Sequence, residues 1–231
     1  MAPCDDNFHP LAERFRTHVR DRDFPCVGAK SAVARNQMRF IVGRDIRSAW
    51  DDLRIYDALL DFAAAYGQNP QIFQSLVVVF EASQRLSEGD FEKSLWARLQ
   101  SLADKDAWHG QPYDERVSAD PTDPLFSLSF GGEAFFVVGV HPGASRPARR
   151  FERAALVFNV HDQFERLRAE NRYESLRDSI LERDLAVAGV ANPMLARHGE
   201  VSEARQYSGR AVPSDWRCPF AAKATVNYDD F

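Results

Sequence analysis

Five side chains capable of chemistry follow the apolar run 135–140 (FFVVGV) within ten residues: His141, Ser145, Arg146, Arg149 and Arg150. A β-branched, aromatic run of this kind reads as a buried strand, and Pro142-Gly143 stops it as either strand or helix. His141 is therefore expected at the mouth of a sheet, on a turn stiffened by Pro142 and Pro147. One imidazole, one hydroxyl and three guanidinium groups make a poor core. They suit an anionic ligand that also needs a nitrogen donor. The plain alternative is a solvated basic turn whose histidine bonds a nearby carbonyl.

Positioning these groups takes a sheet with helices around it. The spacing of Leu11, Phe15 and Val19 predicts a short amphipathic helix, and 24–34 reads as an extended segment that pairs with 38–42 in a hairpin across Asn36-Gln37. A second helix is expected over 48–66, capped by Ser48 and stopped by Gly67. The run 72–80 (IFQSLVVVF) is apolar enough for a central strand buried on both faces. Ser87, with Asp90 three residues on, starts a helix carrying Phe91, Leu95, Leu99 and Leu102. The stretch 104–124 reads as a long loop, of the kind that often covers a site. Segments 125–130 and 134–140 form a hairpin across Gly131-Gly132-Glu133, 154–159 is a further strand, and 161–168 and 173–185 are helical. This alternation predicts an α/β (α+β) single domain built on a mixed β-sheet with hairpins, flanked by helices. The domain occupies 23–220, after an N-terminal helix and start at 1–22 and before a tail at 221–231.

Composition narrows the function classes. The 231 residues are 45% apolar and 27% charged, ordinary globular usage. A net charge of -5 disfavours nucleic acid and anionic membranes as partners. No run approaches the roughly 20 apolar residues of a spanning helix. Three cysteines without an export leader suggest a reducing, cytoplasmic setting. GxGxxG after a strand, GxxxxGK[ST], GxSxG and HExxH do not occur, so dinucleotide, P-loop, hydrolase-elbow and zinc-protease readings have no support.

Six separated segments carry a resemblance. FPCVGAKSA (24–32), VVGVHPGASRPARRF (137–151), LVFNVHDQFERLR (156–168), NPMLARHGE (192–200), SEARQYSGR (202–210) and DWRCPF (215–220) together resemble the YqcI/YcgG family. Its members of assigned chemistry are heme-dependent N-hydroxylases of guanidino compounds. The resemblance therefore implies heme b, dioxygen and an external electron donor, acting on a small-molecule guanidino substrate such as arginine. A homodimer is compatible with it.

An iron porphyrin needs an axial donor, and His141 is the leading one, aimed from a strand end into a cavity. Cys26 is the rival. It follows Pro25, and Lys30 or a nearby arginine would favour its thiolate; as a bland alternative it is a small buried apolar residue. Cys218 has the same chemistry in a weaker setting, and Cys4 lies in the terminus. Arg146, Arg149 and Arg150, with Ser145 as a neutral donor, are the candidates for the heme carboxylates, because guanidinium meets carboxylate through two parallel bonds. Lys30 and Trp216 complete the cofactor set. A guanidinium substrate wants the opposite, a carboxylate and aromatic faces: Glu133, Glu203 and Asp215, with Trp108, Tyr207 and Trp216 as walls. Glu203 and Tyr207 are the catalytic candidates beside the metal ligand. Two other function classes fit the same residues: a non-catalytic heme sensor or carrier, and a heme-free transferase gripping an anionic substrate through the arginine cluster.

Overall fold

The computed structural model describes residues 5–82, 84–192, 194 and 199–225. Five strands form one mixed sheet in the order β1-β2-β5-β4-β3: β1 Met38–Gly43, β2 Ser75–Phe80, β3 Leu128–Phe130, β4 Glu133–Val140 and β5 Ala155–Val160. β1 and β2 are parallel, and the other pairs are antiparallel. The helices are α1 Pro10–Arg20, α2 Val27–Ala34, α3 Asp52–Gln68, α4 Glu88–Trp108, α5 Asp162–Ala169, α6 Tyr173–Ala188 and α7 Ala204–Tyr207. The result is the expected α/β single domain. Among the described residues no helix is long and apolar enough to cross a membrane.

Side-chain alternation divides the sheet into two faces. Ile41, Leu76, Val78, Phe80, Leu156, Phe158, Phe135 and Val137 face one way and pack with Leu59 and Phe62 of α3 and Phe91, Leu95 and Leu99 of α4. Phe40, Val77, Val79, Ala155, Val157 and Val140 face the other way, with Leu11, Phe15 and Val19 of α1 and Ala32 and Val33 of α2. The α5–α6 corner lies over this second face.

Several expectations need correction. The segment 24–34 is not a strand: 27–34 is α2, because the Cys26 side chain accepts from the Ala29 N–H and three alanines extend the turn once it is capped. The hairpin with 38–42 is therefore absent, and β1 pairs in parallel with β2 across α3. The turn at Asn36 stands, with φ 54°. The helix predicted from Ser48 starts at Asp52, which leaves Trp50 exposed. It also passes through Gly67 to end at Gln68. β2 begins at Ser75 rather than Ile72, since Phe73 has φ 73°. β3 is shorter than predicted and α4 runs on to Trp108. Cys4 and most of 192–200 lie outside the described residues.

Candidate functional site

The second sheet face is not filled. Between it and α1, α2, α5 and α6 lies a cavity of about 310 Å³, within the range of small-molecule and cofactor sites. Register builds its floor: Met38, Ser75, Asn159 and Phe136 are successive partners across four strands, and Val157 and Val138 sit in the next row. Ser75 donates to the Asn159 side-chain oxygen at 2.8 Å, so the floor has one polar end. The rest of the lining is mainly apolar.

Cys26 opens into this cavity from the N-cap of α2. Its sulfur accepts the Ala29 N–H at 3.4 Å. Burial pushes the thiol's pKa up, while the Ala29 and Gly28 N–H groups and Arg149 pull it down. Arg149 lines the same cavity and donates to three carbonyls, Gly139 (3.0 Å), Tyr207 (3.3 Å) and Gln206 (3.1 Å). Burial lowers its pKa to about 10, which leaves it charged at neutral pH. Gly209 passes directly over it with φ 79°, and a Cβ there would sit 3.1 Å from the Arg149 Cγ. His18 adds an imidazole to the wall, its ring centroid 5.2 Å from that of Phe24 and 5.3 Å from that of Phe151. Its Nε2 is buried without a hydrogen-bond partner among the described residues, and burial pulls its pKa down. Glu203, buried at the N-cap of α7, contributes a carboxylate.

No group of three His, Cys, Asp or Glu side chains that could hold a bare ion occurs among the described residues. A single sulfur on a helix N-cap, with N–H groups directed at it, is the kind of donor that a metal arriving with its other ligands would take.

The sequence-predicted site is divided by the fold. His141 follows Val140 in β4, so alternation turns it to the opposite face of the sheet from the cavity. There it stacks on Phe91 with ring centroids 4.1 Å apart, is 1% exposed, and its Nδ1 accepts the Gly143 N–H at 3.2 Å. Burial lowers its pKa to about 4. The three turn arginines separate too. Arg146 forms a buried ion pair with Asp184 of α6, Arg150 donates to the carbonyls of Ala144 and Ser145, and only Arg149 reaches the cavity. Ser145 bonds Glu88.

Lys30 donates to the carbonyls of Asp21 and Arg22, closing the loop after α1. Tyr207 is a core residue, stacked on Trp96 and donating to the Phe135 carbonyl at 3.2 Å. Trp216 donates to Glu92 at 2.8 Å. Glu133 pairs with Arg116, whereas Asp215 and Trp108 are exposed. Cys218 is half-buried against the first core, and burial raises its thiol to about 12.

Of the predicted residues, Cys26, Arg149 and Glu203 come together. Sequence reasoning missed His18, Asn159, Gln163, Arg168 and Arg177. Gln163 carries a signal only in three dimensions: its side-chain oxygen accepts the N–H of Phe73 at 2.6 Å and so holds that strained residue in the cavity wall. The spacing of Tyr173, Leu176, Arg177, Ile180 and Leu181 was legible as one inward helical stripe.

No curated protein and no solved structure gives a match. Residues 15–221 match the YqcI/YcgG family model. The matched span includes every cavity residue named above, and the chain belongs to the YqcI/YcgG family.

Proposed function

We propose that the chain is a heme-dependent monooxygenase that hydroxylates a guanidino nitrogen of a small molecule, arginine or a relative, with Cys26 as the metal ligand. The observation that carries this reading is the coincidence, in one apolar cavity, of a helix-capping thiol, a buried guanidinium and a buried carboxylate. Family membership and the activity implied by the resemblance point the same way. In the net reaction one oxygen atom of dioxygen is inserted into an N–H bond of the guanidino group, giving N–OH. The other leaves as water, with two electrons from an external donor and two protons from solvent.

Heme b supplies oxygen activation when bound. The chain's own residues do the rest. Cys26 presents sulfur from a fixed turn, and the backbone N–H groups of Gly28 and Ala29 disperse charge on it. Arg149 adds a cation that its three carbonyls keep in place. Glu203 adds a carboxylate, the group of opposite charge to a guanidinium, and the apolar walls strengthen such a pairing. A reducing cytoplasm would keep Cys26 as a free thiol.

The test is spectroscopic and chemical. Reconstituted protein is expected to show a thiolate-type ferrous–carbonyl band that Cys26→Ser removes and His141→Ala leaves in place. It should also convert arginine or a cyclic guanidine to a product heavier by one oxygen. No Soret absorbance after reconstitution with hemin sinks the proposal. Heme without any hydroxylated product would assign the cavity to a sensor or carrier instead.

A further inference from the structure

Helix α6 presents Tyr173, Leu176, Arg177, Ile180 and Leu181 to the cavity, the i, i+3, i+4 stripe by which a helix seats on a core. None of the five is buried, and the one buried residue of this helix is Asp184. A guanidinium stands within the inward stripe, where a charge is costly unless it meets an anion. Arg177 is 20% exposed, and its one ion pair among the described residues is a 3.6 Å contact with the following residue, Asp178, which is 72% exposed and screened by water. Arg168, also in the lining, places its guanidinium 4.4 Å from the ring centroid of Tyr173, one helical turn before Arg177. It shares its charge with Glu165. The charged groups of the lining are then Arg149, Arg168 and Arg177 against Glu203, an excess of positive charge in a largely apolar space.

We propose that Arg177, assisted by Arg168, is a carboxylate subsite of the cavity, so that the occupant is an apolar body bearing an acid group. This rests on the cavity being the ligand site, and not on iron. Two sources share the chemistry: the carboxylates of the cofactor, and the carboxylate of an amino-acid substrate. The turn arginines cannot serve as a cluster, since Arg146 and Arg150 are held by Asp184 and by turn carbonyls.

A pair of iron-free probes isolates the subsite. Pyrenebutyric acid and the matching uncharged alcohol are titrated by fluorescence into the wild type, Arg177→Gln, Arg177→Lys and Arg168→Gln, with thermal melts as the folding control. The wild type is expected to favour the acid at least tenfold. Arg177→Gln should abolish that preference, Arg177→Lys retain most of it, and Arg168→Gln lose two- to threefold. Equal affinity for acid and alcohol, no binding of either, or a preference that survives Arg177→Gln overturns the inference.

Hemin and its dimethyl ester then identify the source. A tenfold loss of hemin affinity in Arg177→Gln, with the ester unaffected, assigns the subsite to the cofactor. Intact hemin binding with a lost spectral response to arginine, and a retained one to agmatine, assigns it to the substrate. Failure of the wild type to bind hemin would sink the oxygenase reading and leave the pyrene result standing.

Discussion

The two faces of the sheet are made by alternate residues of the same strands, yet one is solid and the other hollow. On the α3–α4 face Phe80, Phe91, Phe130, Phe135 and Phe158 are each at most 1% exposed. Gly139 shows how little room remains there, because a Cβ on it would fall 2.7 Å from atoms of Leu95 and Phe91. On the other face the α6 side chains stop short of the floor residues Ser75 and Asn159, and the cavity lies between. Each large apolar side chain fully buried on the solid face contributes roughly 1.5–3 kcal/mol. The hollow face forgoes part of that gain and keeps space for a ligand. Dense packing and open space are thus divided by strand parity.

The largest expected effect lies on the solid face. Asp52, 1% exposed, accepts from Arg98 at 2.9 Å in a buried ion pair between α3 and α4. Asp52→Ala leaves that guanidinium enclosed without its carboxylate and should cost about 3–5 kcal/mol, read from the urea midpoint. A cost below about 1 kcal/mol would mean that this face is wetter than its packing implies.

A matched pair of truncations sharpens the contrast. Leu95→Ala removes a side chain that is 0% exposed and should cost about 2–5 kcal/mol. Leu181→Ala, which faces the cavity, should cost under about 1 kcal/mol in the ligand-free protein, because the lost side chain was never fully packed. It should instead weaken hemin or pyrenebutyrate binding several-fold. Equal stability losses at the two positions would erase the distinction between the faces.

Much of this architecture was legible in the sequence. β4 and β5, the Ser87 cap of α4 and the α5–α6 pair follow from periodicity and capping, which are local. The site was less legible because it depends on parity and on partners. The placing of His141 at the end of β4 holds, but one residue of register decides which face it serves, and proximity in sequence to Arg149 does not put both in one space. The arginines at 146, 149 and 150 look equivalent in the chain. They become a strap to α6, a cavity wall and a turn brace only once Asp184, Gln206 and Ala144 are in place. Cys26 was found from FPC with the wrong local structure: it caps a helix rather than sitting within a strand.

The smallest net effect on the wild type comes from two titrating groups associated with the solid face, whose signs oppose. Burial raises the Asp106 carboxyl to about 6 although it accepts the Gly131 N–H at 2.9 Å, and burial lowers His141 to about 4. Taking the unfolded values as 3.8 for Asp and 6.5 for His, native Asp106 holds more proton than the unfolded chain between pH 4 and 6. Its contribution to stability therefore falls as pH rises through that window. Native His141 holds less proton than the unfolded chain between pH 4 and 6.5, so its contribution rises with pH and is lost on acidification. Each is worth on the order of 1–3 kcal/mol, and together they flatten the wild-type profile. Asp106→Asn should expose the histidine slope, with urea midpoints that climb relative to wild type from pH 4 to 6. His141→Gln, which keeps an acceptor for the Gly143 N–H, should expose the opposite slope. A variant-minus-wild-type difference that stays constant across this range would show that neither group titrates differently in the folded protein, and that the solid face admits water at both positions.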